Sequence, residues 1–224
     1  MSRPTVALIH ASQASLAPAD AAFGDEFPEA KLWHLLDNRL VSDAEAAGGL
    51  TEELRARMST LIQYAVDGGA DAVQLSCSMY GPVAHDVAAH QPVTVLASDQ
   101  AMFDHVVALR PGRITVLASL GQAAADSAQR LGDWLAAAGV ASEIEPVLVR
   151  GAAAAASAGD LDELTRLMAA EAVTAARSAE VIVLAQYSLA PALAGIAAVV
   201  DVPVLSAPHL AAGSLASRLT ERVS

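Results

Sequence analysis

The sequence predicts an α/β protein of two pseudo-symmetric lobes, each a mainly parallel four-stranded sheet flanked by helices. Two observations carry this. Short apolar, β-branched runs alternate with helical patterns along the whole chain, and near-continuous apolar strands are those of parallel sheets covered on both faces. The chain also repeats itself. The stretch Ala70–Pro82, with Gln74-Leu75-Ser76-Cys77-Ser78, aligns with Ala179–Pro191, with Val183-Leu184-Ala185-Gln186-Tyr187. Gln186 thus stands 109 residues after Cys77.

Taken in order, the first strand is Thr5–His10. The apolar stretch between Met1 and Ser12 is short, is broken by His10 and has no cleavage pattern after it, so it reads as a strand rather than a signal peptide. Further strands are expected at Lys31–Leu35, Ala72–Ser76, Val93–Ala97, Ile114–Ala118, Glu145–Val149, Val181–Ala185 and Val204–Ser206. Helices are expected between them, among them Thr51–Asp67, Ser127–Ala138 and Asp160–Ser178. The mostly alanine stretch Gly151–Gly159 reads as a low-complexity helix or linker.

The repeat extends beyond the Cys77 region. Gly49, Glu53, Leu54 and Met58 align with Gly159, Glu163, Leu164 and Met168, His10-Ala11-Ser12 with Ala118-Ser119-Leu120, and Val95-Leu96 with Val204-Leu205. Pro111-Gly112 punctuates the chain between the copies. The expected lobes are residues 1–109 with 208–224, and residues 110–207. The final helix, His209–Val223, is expected to return to the first lobe. Corresponding strand ends would then face one cleft, where ligands of such sheets sit.

Composition excludes several classes. Asp and Glu outnumber Lys and Arg by 25 to 13, a formal charge of −12, so nucleic acid is not an expected partner. No apolar run has the length of a membrane span, so no membrane partner is expected either. A single cysteine leaves no intrachain disulfide and points to a reducing, cytoplasmic location. There is no Gly-x-Gly-x-x-Gly after the first strand and no phosphate loop ending in Lys-Ser or Lys-Thr. His85 and His90 are off the helical spacing of a metal pair. Neither a cofactor nor a metal is expected.

Cys77 is the prime candidate for chemistry. It follows an apolar strand and precedes a helix whose N-terminal dipole favours thiolate. A buried structural thiol is the alternative from position alone. The motifs Thr5–Ser12, Gln74–Ser78 and Val183–Gln186 resemble those of the aspartate/glutamate racemase superfamily, which includes hydantoin racemase, maleate isomerase and arylmalonate decarboxylase. The resemblance covers essentially the whole chain. It implies two Rossmann-like lobes with the active site in the cleft, a homo-oligomer and a cofactor-independent isomerase acting on a small carboxylate.

Racemases of that group use one cysteine per lobe. Cys77 matches the first, while Gln186 stands at the second position. An amide exchanges no proton near neutral pH but can hydrogen-bond a carboxylate or an enediolate oxygen. Cys77 is therefore the expected acid/base or nucleophile, with Gln186 expected to look at the same ligand from the opposite side. Ser12, Gln13, Ser78, Met79, Ser119 and Tyr187, at the strand-to-helix turns, are expected to hold substrate carboxylates. His10, where glutamate racemases carry an aspartate, either assists Cys77 and the substrate or is a strand-end residue bonded to backbone. Tyr187 and His209 are candidates for the missing proton donor. A decarboxylase with Cys77 as proton donor, or a carboxylate-binding protein without catalysis, are the other readings.

Overall fold

Eight strands form two separate four-stranded sheets in a computed structural model that describes residues 3–221. The first sheet contains β1 (Thr5–His10), β2 (Lys31–Leu36), β3 (Ala72–Leu75) and β4 (Thr94–Leu96), in the order β2-β1-β3-β4. The second contains β5 (Arg113–Ala118), β6 (Glu143–Leu148), β7 (Val181–Leu184) and β8 (Val204–Ser206), in the order β6-β5-β7-β8. Every pairing is parallel. The registers match as well: Ile9 lies opposite Leu75, and Leu117 opposite Leu184. The repeat read in the sequence is thus a repeat of topology.

Helices supply the crossovers that parallel strands require. The first half has α1 (Leu16–Glu26), α2 (Leu40–Ala46), α3 (Glu52–Asp67), α4 (Gly81–Ala88) and α5 (Gln100–Leu109). The second has α6 (Gly121–Ala137), α7 (Ala152–Ala158), α8 (Leu161–Ala175), α9 (Leu193–Ala197) and α10 (Ala207–Glu221). The expected helix to Val223 therefore matches α10 as far as Glu221, and residues 222–224 lie outside the described part, as do residues 1–2.

The two long helices show why the local sequence folds as it does. Thr51 accepts the Leu54 N–H and Asp160 accepts the Glu163 N–H, each capping a first turn that carries two acidic residues. Each then buries one stripe against its sheet: Leu54, Met58, Ile62 and Ala65 in α3, and Leu164, Met168, Ala172 and Ala175 in α8. Both methionines are fully buried. The alanine-rich stretch is a helix, α7, bracketed by Gly151 and Gly159, both in the left-handed region at φ 84° and 69°.

The expectation of apolar strands holds for the central pairs and for the short rim strands β4 and β8, but not for β2 and β6. β1, β3, β5 and β7 are almost entirely buried. β2 and β6 have a neighbour on one side only and keep Lys31, Glu143 and Glu145 exposed. Pro146 is accommodated in β6 because a rim strand tolerates a missing N–H.

The described residues divide into two compact units, one up to Ala101 and from Ala211 onward, the other Met102–Leu210. Nearly all of α5 belongs to the second unit, whereas the sequence reading put residues up to 109 in the first. Phe103 stacks at a tilt on Trp134 of α6, whose Nε1–H donates to Asp104, which ties α5 to the second sheet. No helix among the described residues is long and apolar enough to cross a membrane.

Candidate active site at the strand ends

In the first unit, β3 runs out at Leu75, and the Ser76 N–H still donates to the Ile9 carbonyl. Cys77 follows in extended conformation, at φ −115° and ψ 117°, and caps a 3-10 turn, Ser78–Tyr80, that leads into α4. Its side chain is half-buried. It packs against the core cluster of Ile9, Leu75, Tyr80 and Val83. Ser78 is half-buried and Met79 is exposed, so both expected contacts lie on the accessible side of the turn.

Tyr80 anchors this turn. Its ring is fully buried and its hydroxyl donates to the Leu40 carbonyl at 2.9 Å. Burial first, and then the nearby Cys77, push its pKa up to about 12, so it stays a neutral phenol. Arg57 of α3 ties down the neighbouring connection. It holds Asp37 at 2.6 Å and Asp43 at 2.8 Å, fixing the chain between β2 and α2.

Side chains alternate across a strand, and this separates His10 from Cys77. Ala7, Ile9, Val73 and Leu75 belong to the cluster that receives Cys77. Ser76 turns the other way, its hydroxyl 3.0 Å from His10 Nδ1. His10 is fully buried and bonded within a polar group. Its Nδ1 lies 2.8 Å from Ser15 Oγ, and its Nε2 lies 3.0 Å from His34 Nδ1. His34 Nε2 is in turn 2.9 Å from Asp20 Oδ1. Burial, and then the His34 charge, lower the His10 pKa from 6.5 to about 4, against the opposing pull of Asp20. His10 is a neutral imidazole at physiological pH.

Sequence reasoning found His10 but not its partners. A signal did exist: His34 is polar in the apolar run of β2, and it sits on the same alternating face as His10. Recognising the pair requires knowing that β2 lies beside β1. Ser12 and Gln13, also expected at the site, are exposed on the turn after β1. The Ser12 hydroxyl accepts the Ala14 N–H, so it is a cap as well.

In the second unit Gln186 occupies the corresponding place, after β7 and before the 3-10 turn Tyr187–Ala192. Its Oε1 accepts two hydrogen bonds from Ser119, from the backbone N–H and from Oγ, each at 2.9 Å. A backbone N–H can only donate, so the amide orientation is fixed. The two N–H donors of Gln186 are left for another acceptor. Ser119 is buried and serves to aim that amide. Tyr187 is nearly buried, and His209 Nδ1 lies 3.3 Å from Ser206 Oγ. No cluster of potential metal ligands is found among the described residues.

No family model matches the sequence, and no curated protein matches it. Solved structures do match over nearly the whole chain. Glutamate racemase isoform RacE1 from Bacillus anthracis superposes with a TM-score of 0.72 at 11% identity, covering 99% of this chain and 84% of that one. Allantoin racemase from Klebsiella pneumoniae gives 0.72 at 14% identity, covering 98% and 89%. Arylmalonate decarboxylase gives 0.61 at 20% identity, covering 96% and 92%. The chain has the fold of the aspartate/glutamate racemases. At these identities the likeness extends to the fold, and the chemistry rests on the residues themselves.

Proposed function

We propose that this protein is a cofactor-independent racemase- or isomerase-like enzyme acting on a small carboxylate, with Cys77 as its acid/base or nucleophile. The observation that carries the reading is a half-buried thiol at the carboxyl end of a central parallel strand, in the place where Gln186 stands in the second repeat. As thiolate, Cys77 would take the proton next to the substrate carboxylate. The backbone N–H groups of Ser78 and Met79 and the Ser78 hydroxyl would hold that carboxylate, since the Tyr80 N–H and hydroxyl are already given to the Cys77 and Leu40 carbonyls. The Gln186 amide N–H groups are the donors at the corresponding place of the second repeat, suited to a carboxylate or enediolate oxygen. The sequence has no second cysteine to supply a proton from the opposite face. The chemistry carried by one thiol is thus proton exchange or addition on a single face of the substrate.

The test is exchange of the substrate α-hydrogen with deuterated solvent across a panel of amino acids, hydroxy acids and dicarboxylates. Wild type is expected to exchange at least one of them, and Cys77→Ala none. Equal exchange by the variant would end the reading.

A second reading, a decarboxylase with Cys77 as the proton donor to an enolate, is favoured by the single thiol and by the likeness to arylmalonate decarboxylase. Carbon dioxide release from substituted malonates would select it. Release of none by wild type, with α-hydrogen exchange intact, would discard it.

A further inference from the structure

The polar group behind Ser76 can be read proton by proton. Ser15 Oγ lies 2.7 Å from the Ser12 carbonyl, which can only accept. The one hydroxyl proton of Ser15 is therefore committed there. The 2.8 Å contact between Ser15 Oγ and His10 Nδ1 is then a bond only if Nδ1 carries the proton. His10 is neutral, so its Nε2 is a lone pair. Across the 3.0 Å contact, His34 Nδ1 must donate. The Asp20 carboxylate, 2.9 Å from His34 Nε2, accepts only, so that nitrogen must donate as well. His34 carries both ring protons. The alternative direction, with the His10 proton on Nε2, would set two lone pairs against each other at Ser15.

From this count we infer that Asp20, His34, His10 and Ser15 form a directed relay that makes the Ser76 hydroxyl a hydrogen-bond donor for an anionic ligand at the strand end. His10 Nδ1–H, shared between Ser15 and Ser76 at 2.8 and 3.0 Å, occupies a lone pair of Ser76 Oγ and leaves its O–H to give. Without a ligand that O–H points to Ser15 Oγ, 3.0 Å away. A carboxylate, the ligand class of the proposed function on which this last step rests, is a stronger acceptor and would draw it outward. His10 and His34 are thus positioning residues. Asp20 is the half-exposed counter-charge at the outer end, its side chain 56% accessible against 25% for His34.

Two measurements test the inference, and neither needs a substrate or turnover. In protein labelled with 15N-histidine, long-range proton–nitrogen spectra at neutral pH should show one neutral imidazole of Nδ1–H type, removed in His10→Asn, and one doubly protonated ring, removed in His34→Asn. Asp20→Ala should abolish the second signal and keep the first. An Nε2–H tautomer at His10, or a singly protonated His34, overturns the relay.

The second measurement uses the lone thiol as reporter, comparing alkylation of Cys77 by iodoacetate and by iodoacetamide. Ser76→Ala should lower the ratio of the two rates about tenfold, the worth of one hydrogen bond to a charged group, and Ser76→Thr should retain it. An unchanged ratio in Ser76→Ala overturns the donor role of Ser76. Full turnover in Cys77→Ala would remove the proposed enzymatic reading and leave both results standing.

Discussion

Cys77 is the only sulfur nucleophile of the chain, and its half-exposed position makes it directly addressable. With acid–base catalysis as its role, Cys77→Ala is expected to lower turnover by about 10²–10⁴-fold with little change in melting temperature, measured by solvent exchange and calorimetry. The Gln186 amide is held by Ser119, so Gln186→Leu should weaken carboxylate binding, and Ser119→Ala should do so less, since the backbone N–H bond remains. Titration calorimetry with the best exchanging ligand reads both. His10 adds a pH dependence. Its folded pKa, about 4, lies below the ordinary 6.5, so the unfolded chain takes up a proton first as pH falls. The contribution is fully present above 6.5 and lost on descent towards 4, on the order of 3 kcal/mol for a buried imidazole. Urea denaturation at stepped pH should show that decline in wild type and a flatter profile in His10→Asn.

The helices and central strands were legible because their signals are local. The expected helices begin at Thr51 and Asp160, the two residues that cap α3 and α8 in the fold, each followed by two acidic residues in the first turn. Replacing either cap by Ala should cost about 1 kcal/mol, a similar loss in both repeats, by urea denaturation. Gly195 carries a different requirement, absent from the sequence pattern. A methyl group there would strike the Thr165 side chain, so α9 packs on α8 only through a glycine. Gly195→Ala should destabilise by about 1–3 kcal/mol, and Thr165→Ser in the same chain should restore part of it. Such close approaches, like the meeting of His34 and His10, depend on which elements become neighbours. No local window of sequence contains that.

At the scale of the molecule, the repeat was legible because Cys77 and Gln186 and the two Pro-terminated turns are 109 residues apart, and Met58 and Met168 are 110 apart. The division of the described residues was less so. Pro111-Gly112 is a strong local break, yet α5 before it joins the second unit through Phe103, Asp104 and Trp134. A single aromatic contact across thirty residues outweighs a turn signal. The formal charge of −12, most of it in the first repeat, opposes compaction by self-repulsion. Moderate sodium chloride should therefore raise the melting temperature by a few degrees relative to low-salt buffer, and scanning calorimetry at two ionic strengths checks this.

The rim strand β6 bears on how the protein behaves at high concentration. An open sheet border invites a foreign strand to dock, and a proline there denies it one hydrogen-bond donor while two glutamates repel a like-charged intruder. Pro146 and its neighbours Glu143 and Glu145 thus act as a guard against fibre growth, and exchanging the proline for valine together with the acids for threonine would give a chain prone to stack on itself.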